Sequence, residues 1–234
     1  HIWKHQIQSL QSSYQLIIPD LRGSGASAGL SAPQSIEQMA EDILQVLNRE
    51  NIDTCTVLGH SMGGYITLAL VEKYSHRFNA FGLIHSTAYA DNNEKKQARL
   101  KSMEFIEQNT AYEFIKATIP NLFGEQFKQN HPEQVDELIE QGRQFTKDVL
   151  IGYYQAMMNR PDRSDVLKHT IKPVLFFIGS EDKAVNPADA LQQSSIPPVA
   201  KVKYVEGIAH MGMWEATEQL NQTLEEFLQL VQQI

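Results

Sequence analysis

Cysteine is nearly absent. Of 234 residues only Cys55 is a thiol, so no disulfide can form within the chain. It lies in the apolar run Thr54-Cys55-Thr56-Val57-Leu58 and reads as a small buried hydrophobe rather than a reactive group. Positive charge is also short. Lysine and arginine number 20 against 28 aspartates and glutamates, giving a formal net charge of −8, and the basic residues are scattered. A nucleic-acid surface needs a clustered basic face, so that partner is not expected. Long hydrophobic runs are missing too: no stretch approaches the roughly 20 apolar residues that cross a bilayer, and the start does not read as a signal peptide. No membrane partner is expected, and the cytoplasm is the default compartment. The chain opens on His1 and not on methionine, as a piece cut from something longer would.

What remains is ordinary globular material, 42% hydrophobic and 21% charged, long enough for one domain or a core with an insertion. A weak helical pattern covers 2–10, and Tyr14-Gln15-Leu16-Ile17-Ile18-Pro19 predicts a strand that stops at proline. The glycine-rich Asp20–Ser27 lacks the further glycine or Gly-Lys-Ser ending of a phosphate loop and reads as a structural turn. An amphipathic helix is expected over 35–50. Ser35 and Gln38 form its capping box, and Ile36, Met39, Ala40, Ile43 and Leu47 its apolar face.

Further short apolar runs follow at 54–58, 80–85 and 173–179, with a more polar one at 202–205 suited to a sheet edge. Helical patterns alternate with them, which predicts a mostly parallel sheet with helices on both faces. From Asp91 to Arg163 the rhythm stops and only helical patterns appear, punctuated by Pro120 and Pro132. The expected organisation is an α/β core over 1–90 and 164–234, with a helical cap over 91–163. Most of the cap's aromatics and methionines are expected to form its own small core, with a few facing what lies beneath. A helix over 215–233 closes the chain, its buried stripe Leu220, Leu224, Phe227, Leu228 and Val231.

The richest stretch is Gly59-His60-Ser61-Met62-Gly63-Gly64, pinned between an apolar strand and a helical pattern. A serine on so sharp a turn is pushed out of the sheet. Gly59 and Gly63 stand where a Cβ would collide with the tight backbone, and Gly64 lets the helix pack close. A serine hydroxyl needs a base, and the base needs an acceptor that fixes its tautomer. Of eight histidines, His210 lies in a loop just after the last strand, on the same rim as Ser61. His60 is expected to pack or bond locally, and His85 is a weaker rival. The acid follows the long apolar strand, where Glu181 and Asp182 are both candidates.

The order Ser61, Asp182, His210, each after a strand, resembles the α/β-hydrolase fold from Ile2 to the C-terminus. Gly59–Gly64 looks like that family's nucleophile elbow, Asp20–Ser27 like its fourth-strand loop, Gly179-x-x-Asp182 like its acid loop and Ala209-His210 like its histidine loop. The resemblance favours Asp182 over Glu181. Met158–Arg163 leading into Ile171–Val174 is similar to the small esterases and enol-lactonases. A serine nucleophile, not an aspartate, sets the chain apart from haloalkane dehalogenases. The family also begins with strands that precede Trp3, one of which lies between the 14–19 strand and the elbow strand, and with a His-Gly loop that supplies half its oxyanion hole. By this resemblance these are expected before residue 1, which leaves the Met62 backbone N–H as the expected remaining oxyanion donor.

The implied function is a serine hydrolase that cleaves a small ester, lactone or thioester substrate, needing no metal or organic cofactor. Peroxide-dependent or amide chemistry on the same triad, or a hydrolase-like small-molecule receptor, are the alternatives.

Overall fold

Parallel strands need a crossover between each pair, and this chain supplies one every time. The protein is described here by a computed structural model covering residues 2–233. Among these residues the strands are β1 (Cys55–His60), β2 (Phe78–Ile84), β3 (Val174–Gly179) and β4 (Ala200–Val205). They lie side by side in that order, all parallel. Helices α1 (Lys4–Leu10) and α2 (Ile36–Arg49) precede β1, and α3 (Met62–Tyr74) connects it to β2. Between β2 and β3 run α4 (Asn93–Gln108), α5 (Ala111–Thr118), α6 (Glu125–Asn130), α7 (Pro132–Gln141), α8 (Lys147–Asn159) and α9 (Ser164–His169). Helix α10 (Pro187–Ser194) leads to β4, and α11 (Gly212–Glu215) and α12 (Thr217–Gln232) end the chain. None of these helices is long and apolar enough to cross a membrane.

Strand β3 is buried at every residue, as its unbroken Val-Leu-Phe-Phe-Ile run requires. Alternate side chains serve opposite faces. Phe81, Phe176 and Ile178 join a core with α2 and α3, while Ile84, Leu175 and Phe177 join one with α12. Strand β4 alternates exposed and half-buried residues, as an edge strand does. Helix α2 begins as expected at Ser35, whose hydroxyl accepts the Gln38 N–H at 3.0 Å. The Gln38 side chain, however, reaches back to the Gln34 N–H and not to Ser35. The closing helix is split: Ala216, at φ −137°, separates α11 from α12.

Two expectations fail. Residues 15–20 form no strand, and their side chains are half-buried or exposed. Strand β1 pairs only with β2, so no described strand offers the 14–19 segment a ladder, and Pro19 has no N–H to donate to one. The helical segment 93–159 also lacks a separate core. Ile106, Phe114, Ile115, Val149, Leu150 and Tyr153 are continuous with the α2–α3 side of the sheet. Phe123, Val135, Leu138 and Ile139 are continuous with the α12 side.

Where that segment leaves and rejoins the sheet, buried ions tie its two ends. Asp91 is bonded by Arg99 and, at 2.8 Å, by Arg160, whose other guanidinium nitrogen donates to the Tyr89 carbonyl. The Arg160 guanidinium also lies 3.8 Å from the Tyr65 ring centre, on α3. The Arg163 N–H donates to the Ala88 carbonyl, and its side chain bonds Glu37 and Glu72. Removing one partner of a buried pair leaves the other charge uncompensated. Arg160→Ala should therefore lower the unfolding free energy by about 3–5 kcal/mol, measured by urea titration. A loss under about 1 kcal/mol would mean that Arg99 alone satisfies Asp91.

Candidate active site

The turn after β1 is strained and firmly held. Ser61 has φ +51° and ψ −117°, a conformation that a residue with a Cβ rarely adopts. Its N–H donates to the Ile84 carbonyl at 3.0 Å, and its own carbonyl accepts from the Gly64 N–H at 2.9 Å and the Ser86 hydroxyl at 2.7 Å. A Cβ at Gly59 would fall 2.2 Å from the Gly63 backbone, and one at Gly64 would fall 2.2 Å from Ser86 Oγ. A Cβ at Gly63 would meet nothing within 4 Å, so the close approach expected of Gly63 belongs to Gly64. Met62 opens α3, where the N–H has no intrahelical acceptor and faces outward with the helix's positive end.

Just past the end of β3 stands a buried carboxylate. Asp182 Oδ1 accepts the N–H groups of Ala184 at 2.8 Å and Val185 at 2.9 Å. Its Oδ2 accepts Nδ1 of His210 at 2.8 Å and Nδ1 of His85 at 3.1 Å. Glu181, the alternative acid, is exposed and contributes its N–H to the Ile208 carbonyl. Asp182 is therefore the partner of His210. With Nδ1–H donated, His210 keeps Nε2 bare, the tautomer a proton acceptor requires. Among the described residues no hydrogen bond joins Ser61 Oγ to His210. The link between the two loops runs through His60, next to Ser61 in the chain, whose Nε2 donates to the His210 carbonyl at 2.8 Å, with ring centres 4.8 Å apart.

The residues holding the His210 loop left little trace in the sequence. The Glu215 carboxylate accepts the N–H groups of Ala209 at 3.1 Å and Met211 at 2.9 Å, on either side of His210. It also accepts the Gly124 N–H at 2.8 Å, and the His210 N–H donates to the Leu122 carbonyl at 2.9 Å. Both contacts tie the loop to the helical segment. The only hint was a carboxylate in the first turn after the loop. Ser86, which braces the elbow, gave none.

The electrostatics follow from burial and pairing. Burial pushes the Asp182 carboxyl up, but the His210 ring beside it and the hydrogen bonds from both histidines outweigh that and hold it well below the usual range. Burial drives His60 far down, helped by the neighbouring His210 and His85 rings, and lowers His85 against the pull of Asp182. Glu215 is raised by burial in spite of its three backbone donors. The ligand atoms of His85, Asp182 and His210 lie within 4.8 Å of one another. They are already joined by hydrogen bonds, and a zinc-sized ion would need all three at roughly 2.0–2.2 Å, which breaks that pairing.

A carboxyl held low in the folded state stabilises the fold fully above its unfolded value. The contribution is lost as pH falls toward the folded value. Asp182→Asn should thus flatten the fall of unfolding free energy below about pH 4, measured by urea unfolding across a pH series. An unchanged slope would show that Asp182 does not carry it.

A family model described as the alpha/beta hydrolase fold matches residues 1–217. Over 188 residues the chain is 26% identical to 3-oxoadipate enol-lactonase 2 of Acinetobacter baylyi, covering 80% of this chain and 69% of that protein. A thermophilic esterase from Thermogutta terrifontis superposes with a TM-score of 0.92 at 26% identity, over 98% of this chain and 85% of the other. The enol-lactonase from Burkholderia xenovorans has the same fold, with a TM-score of 0.88 at 21% identity over 97% of this chain and 86% of its own. Sheet order, elbow and family match agree: the chain belongs to the α/β hydrolase fold family.

Proposed function

We propose that the protein is a serine hydrolase that cleaves a small carboxylic ester, lactone or thioester through an acyl-serine. The observation that carries this reading is the 2.8 Å contact of His210 Nδ1 with buried Asp182, set on the rim where the strained turn presents Ser61. Ser61 Oγ attacks the substrate carbonyl carbon while His210 Nε2 takes its proton. Asp182 holds the imidazolium that results. The Ser61–His210 contact tightens when substrate arrives, as such contacts do in the Michaelis complex. The carbonyl oxygen, now anionic, faces the Met62 N–H. Collapse breaks the bond to the alcohol or thiol, which leaves with the proton from His210. Water then attacks the acyl carbon and gives a proton to His210; the acyl–Oγ bond breaks, His210 returns that proton to Ser61 Oγ, and the acid leaves. A lactone yields a single ring-opened product by the same steps.

In this reading residues 1–90 and 164–234 present the site, and 91–163 close over it as a lid. The contacts of Leu122 and Gly124 with the His210 loop support that placement. The esterase and enol-lactonase relatives support an ester or lactone substrate.

A fluorophosphonate probe should label the folded protein at Ser61 and not label Ser61→Ala. Asp182→Asn should keep the fold and lose about 10⁴-fold in turnover of an activated ester, as loss of the orienting carboxylate does in a serine protease. Folded protein that takes no label would overturn the reading.

A further inference from the structure

His85 combines three unfavourable features. It follows β2 with φ +47°, in the left-handed region that a residue with a Cβ enters at a cost. Its side chain has no solvent exposure. Its Nε2 has no hydrogen-bond partner among the described residues. The ring is walled in by Phe177, with centres 5.6 Å apart, and by Gly212, where a Cβ would lie 2.4 Å from Nε2. A hydrophobic side chain would avoid the orphaned nitrogen altogether. Among the described residues the imidazole's single polar contact is Nδ1 to Asp182 Oδ2 at 3.1 Å. Burial disfavours the charged ring, and an ionised carboxylate can only accept, so Nδ1 carries a proton. What His85 contributes is a fourth hydrogen bond to Asp182, on the oxygen that also serves His210.

We propose that His85 is a positioning residue that shares the Asp182 carboxylate with His210 and so sets how far into the acid range His210 remains an unprotonated base. This rests on the serine-hydrolase reading above. An ionised carboxylate offers about four acceptor sites, and here all are filled. Charge drawn toward His85 is withdrawn from the imidazolium that forms on His210, so the protonated base is held less firmly. The groups facing His210 are His60 from the end of β1, His85 from the end of β2 and Asp182 from the loop after β3, while Glu215 from α11 grips the flanking backbone. Of these, only His85 competes for Oδ2.

The test compares His85→Leu, which removes the donor, with His85→Asn, whose Nδ2 occupies the place of Nδ1 and whose backbone tolerates the left-handed region. Two readouts are taken on the full chain: the acid limb of kcat/KM for p-nitrophenyl acetate, and the pH titration of the His210 ring signals by NMR. In His85→Leu both midpoints should rise by about half a pH unit or more, a loss of about threefold in kcat/KM on the acid limb. His85→Asn should overlay the unaltered protein. A uniform loss of activity with no shift in either midpoint would mean a merely structural role and overturn the proposal. So would an equal shift in both variants. If the NMR midpoint rises but no protein hydrolyses ester or takes fluorophosphonate, the His85 assignment stands and the hydrolase reading falls. Should His85→Leu not fold, His85→Phe and His85→Ala carry the same comparison.

Discussion

A carboxylate out of water is tolerated only when its acceptor sites are filled, and at Asp182 the chain fills them from three separate places. The loop that carries it folds back through the Ala184 and Val185 amides, while the ends of β2 and β4 bring the two histidines. That requirement fixes the rim. Residues 60 and 84 are paired across β1 and β2, as are 84 and 177 across β2 and β3 and 179 and 205 across β3 and β4. With the strands in this register, everything that follows them emerges on one side of the sheet. The carboxylate is then the knot in which the loops meet.

The elbow shows the complementary constraint, in which the backbone is unfavourable and its neighbours are not free to relax it. Ser61 is held at both its N–H and its carbonyl, and Ser86 fills the space that Gly64 leaves open. Strain of this kind persists where the surroundings over-determine it. Here they do so through β2, which supplies the Ile84 carbonyl and, just beyond its end, Ser86.

Much of this was legible in the chain. Unbroken apolar runs gave β2 and β3, and a serine between glycines in strand–helix context gave the elbow. The order of serine, acid and histidine implied a shared rim. What could not be read depends on groups remote in sequence. A local pattern says that 14–19 can be extended, but not whether another strand lies beside it. Gly63 and Gly64 look alike until Ser86 shows which one is crowded. Glu181 and Asp182 are neighbours on paper, and only the direction of the turn after β3 sends one toward His210 and the other to solvent. His85 read as a rival base because a sequence does not show that its outer nitrogen is sealed against Gly212.

Glu215 holds the His210 loop through amide hydrogens alone: one from each neighbour of His210 and one from Gly124. A clamp that grips only main chain is blind to side chains. Substitutions at 209 and 211 that respect the local space leave its hydrogen bonds intact, whereas a Cβ at Gly124 would lie 3.0 Å from the clamping carboxylate and a change at 215 releases the loop and the Gly124 turn together. The loop can therefore drift in sequence while its shape is inherited, and Glu215 shares the task of keeping the base in place with the main-chain bonds from His60 and to Leu122.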